Sequence, residues 1–318
     1  MRIMHVRKVC VLGGTGFVGS HLVGQLIASG REVTVLTRRI QRHRDLLVFP
    51  GVRLVEADVH DPGVLKQHFQ GMDAVINLVG ILNEKGHDGR GFRRAHVDLP
   101  RNVLETCKTC GVKRLLHMSA LHADAGSGPS HYLRSKGEAE NHLHTFSAPV
   151  AVTSFRPSVI FGPGDSFINR FADLVKLTPG IFPLTCPNAR FAPVYVGDVV
   201  DAFLQALEDR SSFNQRYDLC GPHAYSLREI VTYVARTSGH RRLIIGLPDA
   251  LSKLVALLSE YLLPGKFFSL DNYHSLKVDS VCHNGRRCPT SLEAVVPTYL
   301  GKADRNARYQ ILRERAGR

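Results

Sequence analysis

The chain has 318 residues, with 41 Lys+Arg against 28 Asp+Glu and a formal net charge of +13. At 44% apolar and 22% charged residues it carries enough apolar surface to offset chain entropy, which excludes disorder as its general state. The length fits two domains or one large one.

A basic excess suggests nucleic acid, an anionic membrane surface or a phosphorylated ligand. Residues 1–150 hold 20 basic and 13 acidic side chains, and residues 151–318 hold 21 and 15, so no tail carries the whole excess. The clusters are Arg38-Arg39-x-x-Arg42-x-Arg44, Arg241-Arg242, Arg286-Arg287 and a loose run over 302–318. No zinc-finger or RNA-recognition pattern accompanies them, so nucleic acid is not expected as a partner. The seven cysteines are irregularly spaced and suggest no disulfide framework. Cys107-x-x-Cys110 sits in an apparent helix without a second half-site, and the histidines show no ligand spacing, so no metal is expected. No run of 18 apolar residues occurs, and Arg2, Arg7 and Lys8 lead into a strand instead of a leader. A reducing cytoplasm is the expected compartment.

In chain order, Lys8–Leu12 reads as a short apolar strand that ends in glycines. Phe17, Val18, Leu22, Val23, Leu26 and Ile27 form one helical stripe, which Gly30 stops. Strands are expected at 32–37 and 52–56, with a short helix opened by Asp61-Pro62. Residues 73–79 form a nearly continuous apolar run, as strands covered on both faces do. A helix at 94–110, a strand at 112–118, a helix at 132–144 and a strand at 150–160 follow. After Gly162, Pro and Gly become frequent and short strands mix with helices. The Leu-rich stretch 247–263, continued by Pro264-Gly265-Lys266-Phe267-Phe268, has the composition to lie on an anionic bilayer or to cover a small core. Strands that alternate with helices give a parallel sheet with right-handed crossovers.

Gly13, Gly16 and Gly19 make G-x-x-G-x-x-G between a strand and an amphipathic helix, the context that marks a dinucleotide turn. Gly13 permits the tight turn, Gly16 admits a diphosphate and Gly19 lets helix and strand pack closely. Thr15, Phe17 and Val18 complete the expected cradle. A preference for NAD(H) would place a carboxylate about 20 residues on. Thr37-Arg38-Arg39 stands there instead, and a guanidinium beside a hydroxyl suits a 2′-phosphate. NADP(H) is therefore expected over NAD(H). Asp58 and Val59 at the third strand end are candidates for the adenine, and Leu78, Val79 and Gly80 at the fourth for lining the dinucleotide.

Two Y-x-x-x-K pairs occur, Tyr132/Lys136 and Tyr273/Lys277. Residues at i and i+4 share a helical face, and an ammonium near a phenol favours the phenolate. Tyr132 opens the helix after the fifth strand, where it can face the glycine turn, so Tyr132 and Lys136 are the candidate acid/base and ribose-binding residues.

These motifs resemble the extended short-chain dehydrogenase/reductase superfamily over at least residues 8–220. The glycine turn, Asp58, Tyr132 and Lys136 come in that family's order. So do Arg156-Pro157-Ser158-Val159-Ile160-Phe161-Gly162, Tyr195-Val196-Gly197-Asp198 and Tyr217-Asp218-Leu219-Cys220-Gly221. The segments His117-Met118-Ser119-Ala120-Leu121 and Tyr132-Leu133-Arg134-Ser135-Lys136-Gly137-Glu138 are similar to the atypical branch that contains the nucleotide-binding accessory subunit of respiratory complex I and its bacterial relatives. The resemblance implies an α/β fold. A doubly wound Rossmann parallel sheet (1–162) is joined to a smaller mixed α/β lobe (163–318), with re-entry of the chain into the sheet near 191–220.

It also implies cofactor contacts from Ser119, Pro157 and Val159, with Ser119 as a candidate catalytic residue. Active members place a Ser or Thr where Ala120 falls here, and many have a helix asparagine where His96 falls. The reading this favours is a protein that holds NAD(P)(H) largely structurally. Its expected partners are the dinucleotide and a respiratory complex or an anionic membrane surface, with a peripheral place at the inner face of the cytoplasmic membrane. The alternatives are a working reductase, epimerase or dehydratase with Tyr132 as acid/base, and a membrane-peripheral partner protein.

Overall fold

A computed structural model describes residues 5–84, 86, 88–262, 268–282 and 285–300. The chain runs β1 (Lys8–Leu12), α1 (Phe17–Ala28), β2 (Glu32–Thr37), β3 (Val52–Glu56), α2 (Pro62–Phe69), β4 (Ala74–Asn77), α3 (Arg90–Phe92), α4 (Leu99–Cys110), β5 (Arg114–Met118), α5 (His131–Thr145) and β6 (Ala151–Pro157). It continues with β7 (Ile160–Phe161), α6 (Ile168–Leu177), β8 (Ile181–Leu184), β9 (Arg190–Phe191), β10 (Val194–Tyr195), α7 (Val196–Glu208) and β11 (Arg216–Cys220). The last elements are β12 (Tyr225–Ser226), α8 (Leu227–Thr237), β13 (Leu243–Gly246), α9 (Asp249–Leu262), α10 (Leu270–Ser275), β14 (Arg286–Arg287) and α11 (Leu292–Leu300).

Eight strands form one sheet in the order β14-β11-β6-β5-β4-β1-β2-β3. β1 pairs in parallel with both β2 and β4, so the strand order reverses between them. In a doubly wound sheet that reversal opens the crevice for a ligand at the carboxyl ends of the strands. β4 and β5 are buried along their whole length, which is why 73–79 reads as a nearly continuous apolar run.

The chain divides into two compact units, Met1–Arg156 with Val199–Tyr217, and Pro157–Asp198 with Asp218–Arg318. The first unit buries Leu12, Leu36, Leu65, Phe69, Val103 and Leu115 among others in one core. The second buries Phe161, Ile168, Phe182, Ile230, Val234 and Leu292. At the edge of the first core Arg114 is fully buried. It donates to the carbonyls of Ala151 and Ala206 and to the hydroxyls of Thr153 and Ser212, and its guanidinium lies 4.7 Å from the Phe213 ring.

Two expectations are corrected. The helix expected from residue 94 begins at Arg90, and Arg93–Asp98 is wound as a π-helix before α4. The Glu84 carboxylate accepts from the N–H groups of Gly89 (2.7 Å) and Gly91 (2.8 Å) and so holds the helix start, which no sequence spacing signalled. Cys220 and Cys282 form a disulfide, Cα to Cα 6.0 Å, although no disulfide was expected. The two are 62 residues apart in sequence, and the turn that brings them together has no spacing signature. Cys107 and Cys110 lie on α4 as free thiols. The run 302–318 and residues 264–267 lie outside the described residues.

Candidate functional site

The glycine turn follows β1 directly. Gly13 has φ +77, and a Cβ on it would stand 3.0 Å from the Leu78 carbonyl carbon, at the end of β4. A Cβ on Gly19 would meet the Gly13 carbonyl oxygen at 2.3 Å. Both positions therefore require glycine. Gly16 is exposed and is the N-cap of α1. That helix start has no side-chain cap and no acidic residue in its first turn. Uncapped N–H groups and the positive end of the helix dipole suit an anion. Thr15, Phe17 and Val18 are half-buried in the same turn. The residues present fit a dinucleotide diphosphate.

Around the crevice the other predicted residues take these places. Thr37 is buried at the end of β2, and Arg38 and Arg39 are exposed directly after it. Asp58 is exposed after β3, and its carboxylate accepts from the His60 N–H at 3.0 Å, while Val59 turns inward. Leu78 and Val79 are half-buried after β4 and Gly80 is exposed. Asn77 sets this loop, because its side-chain oxygen accepts from the Val79 N–H at 3.1 Å. Pro157 and Val159 belong to the second unit.

The second cluster joins β5 to α5. Ser130 caps α5 by accepting from the Leu133 N–H. One turn on, Lys136 is buried and its ammonium donates to the Met118 carbonyl at 3.0 Å. Burial pulls its pKa down to about 8, against the opposing pull of Glu140. Tyr132 is half-buried on the same helix, edge-on to the rings of His96 (5.4 Å) and Phe92 (6.1 Å).

His96 sits in the π-helical turn. Its Nε2 accepts from the Ile81 N–H at 3.0 Å, and its Nδ1 lies 2.9 Å from the Ser135 hydroxyl. Burial, with Lys136 and His117 adding to it, pushes its pKa down to about 2, so it is the neutral tautomer protonated on Nδ1. Ser119 is buried and its hydroxyl has no hydrogen-bond partner. His117, inside β5, is likewise buried, with Nδ1 3.4 Å from Asn77 Nδ2 and an unpartnered Nε2. Unpaired buried polar atoms are costly, so these two groups are fitted to meet a ligand or water. His117 was missed in the sequence, although a histidine beside Leu115, Leu116 and Met118 in a strand was its signal. Among the described residues no group of His, Cys, Asp and Glu is arranged to hold a metal.

The second pair, Tyr273 and Lys277, is in the second unit. Both side chains reach Asp249 at the start of α9, and the ammonium lies 4.6 Å from the Tyr273 ring centre, so the pair anchors a helix.

The sequence profile of the NAD dependent epimerase/dehydratase family matches residues 9–220. The chain belongs to this family. Its relatives include NADH dehydrogenase (ubiquinone) 1 alpha subcomplex subunit 9 from Mus musculus, 31% identical over 230 residues, covering 70% of this chain and 59% of that protein. The subunit of the same name from Arabidopsis thaliana is 30% identical over 285 residues, covering 85% of this chain and 70% of that one. The chain thus spans about three fifths of the mouse relative's length. Among solved structures, the Thermus thermophilus UDP-glucose 4-epimerase in complex with NAD superposes with a TM-score of 0.65 at 22% identity, covering 84% of this chain and 98% of that one. That likeness shows a shared fold. The matched span includes the glycine turn. Among the described residues no helix is long and apolar enough to cross a membrane.

Proposed function

We propose that this chain holds NADP(H) largely as a structural ligand and serves as an accessory-type subunit of a respiratory complex, peripheral to the inner face of the cytoplasmic membrane. The observation that carries the reading is the state of Lys136. It is buried and tied to the Met118 carbonyl, the glycine turn keeps its close approaches, and Ala120 stands where the family resemblance implies a hydroxyl in active members. Groups that hold a dinucleotide are kept; a group that would orient a substrate is not. The complex I subunit names of the relatives support the accessory role. Arg38 beside Thr37, with no carboxylate at the end of β2, supports the 2′-phosphate.

In this reading Gly13, Thr15, Gly16, Phe17 and Val18 hold the diphosphate, and Thr37, Arg38 and Arg39 the 2′-phosphate. Asp58 and Val59 flank the adenine, Leu78, Val79 and Gly80 line the middle, and Ser119, Tyr132, Lys136, Pro157 and Val159 serve the nicotinamide half. Release of bound dinucleotide, followed by its fluorescence, tests the claim. Slow exchange without oxidation by quinones, sugar nucleotides or steroid-like substrates is expected. Rapid oxidation by any of them contradicts it.

A second reading has one observation in its favour, the unpartnered hydroxyl of Ser119. In it the protein is a working reductase, epimerase or dehydratase with Tyr132 as acid/base. Loss of turnover in Tyr132→Phe supports that reading, and unchanged turnover removes it.

A further inference from the structure

α9 has its faces reversed. A helix on a globular surface turns its large apolar residues inward and its small or polar ones outward. In α9 the buried residues are Ser252 (0%), Ala256 (0%) and Ser259 (5%). The exposed ones are Leu251 (46%), Leu254 (47%), Val255 (37%), Leu257 (40%) and Leu258 (47%). The inward serines are used: the Ser252 hydroxyl accepts from the Cys186 N–H, and that of Ser259 from the Phe268 N–H. The leucine face is therefore outward by construction.

The element before it does the same. β13 pairs in parallel with β8, and Leu243 faces Ile181 while Ile245 faces Pro183. All four are exposed. A two-stranded sheet with one solvent face should alternate apolar in and polar out, but this one is apolar on both. Leu177, at the end of α6, adds a further exposed aliphatic side chain. Large aliphatic faces left in water mark a docking surface.

The chemistry of these faces selects the occupant. Their outward side chains are leucine, isoleucine, valine and proline. Centres of protein interfaces favour Tyr, Trp, Phe, Met and Arg, and leucine and valine are under-represented among their energetic anchors. The exposed cations beside these faces, Lys176 next to Leu177, Arg241 ahead of β13 and Lys253 within α9, outnumber the exposed carboxylates, Asp173 on α6 and Asp249 at the start of α9. The two carboxylates of α9 are partnered, Asp249 at the surface by Tyr273 and Lys277, and Glu260 by the Leu270 N–H. Aliphatic side chains bordered by cations, on a chain of net charge +13, match an interfacial helix on anionic lipid.

We propose that the leucine face of α9, with the outward face of the β8–β13 ribbon, docks this chain on an anionic lipid bilayer. The docking deepens the membrane-peripheral part of the proposed function and stands or falls apart from the proposed cofactor. The full chain is mixed with vesicles of phosphatidylcholine alone, or with three tenths phosphatidylglycerol, and floated through a density gradient. Flotation with the anionic vesicles at low salt is expected. A Leu251→Gln/Leu254→Gln/Leu258→Gln variant should lose at least about tenfold of that binding while its thermal unfolding and dinucleotide content stay unchanged.

The chain contains no tryptophan, so Leu258→Trp supplies a sole indole. Its emission should move to shorter wavelength on anionic vesicles and be quenched by bromine-labelled acyl chains. Three results would overturn the proposal. They are failure to float with anionic vesicles, flotation that the triple variant retains, and leucine-dependent dimerisation in sedimentation that hides the indole without lipid.

Discussion

The ammonium nitrogen of Lys136 lies 3.2 Å from the place where a Cβ would sit on Gly80. The lysine cannot retreat without giving up its bond to the Met118 carbonyl. The same Cβ would stand 3.5 Å from His96 Nε2, which is held by the Ile81 N–H. Gly80→Ala therefore asks the lysine to give by a few tenths of an ångström against its bond to Met118. We expect about a tenfold loss of dinucleotide affinity, about 1.4 kcal/mol, with little change in the unfolding midpoint. Isothermal calorimetry measures it, and equal affinities in variant and parent would show that the contact has no role.

Lys136 also gives a pH dependence with a definite sign. Its pKa falls from 10.5 to about 8 on folding, chiefly through burial. A lysine that is harder to protonate when folded opposes folding while it is charged. The penalty is complete below about pH 8, shrinks as pH rises from there to 10.5, and is gone above that. Its release makes stability rise with pH in that window, by up to about 1.4 kcal/mol per pH unit from this group. Urea unfolding of parent and Lys136→Met on either side of pH 8 isolates the slope. The substituted chain should lack it; an identical pH profile in both contradicts the burial of a charged lysine.

At the other end of the crevice, Arg38 is predicted to choose the dinucleotide. A hydrogen bond to a charged group contributes about 1.5–3 kcal/mol. Arg38→Ala should then weaken NADP(H) by about tenfold or more and change NAD(H) little. Calorimetry with both dinucleotides reads the ratio. Tighter binding of NAD(H) by the unaltered chain would defeat the assignment.

The cysteines offer a count. Five are free and two are joined as Cys220–Cys282. Alkylation of denatured, unreduced protein should label five thiols of seven by intact mass. Closing a loop of 62 residues stabilises by about 4 kcal/mol in the chain-entropy picture. Cys282→Ser should accordingly lower the unfolding midpoint. Seven labelled thiols in the parent would rule the bond out.

Local chemistry and tertiary chemistry were unequally legible. The strands around the crevice could be read because β4 and β5 are buried on both faces and so carry short apolar runs, Ala74–Ile76 and Leu115–Leu116. The glycine turn was legible because Gly13 and Gly19 admit no Cβ, a restriction that leaves its mark on residue identity. Tyr132 and Lys136 were found by helical spacing and by their place after the fifth strand. What stayed hidden depends on partners distant in sequence. Glu84 caps a helix from outside it, His117 is noticed only once its burial is known, and Cys282 meets Cys220 through a turn without signature. The inward serines of α9 look like an ordinary polar stripe until their burial reverses the meaning of the leucines beside them.

The central claim is that the first unit keeps a dinucleotide rather than turning it over, and the ligand carried by the purified protein tests it most directly. The full chain, purified without added cofactor, is denatured, and the released small molecules are measured by absorbance and mass. The account predicts NADP(H) in near-equal amount to the protein, in one redox state. Protein that folds normally yet carries no dinucleotide would contradict it.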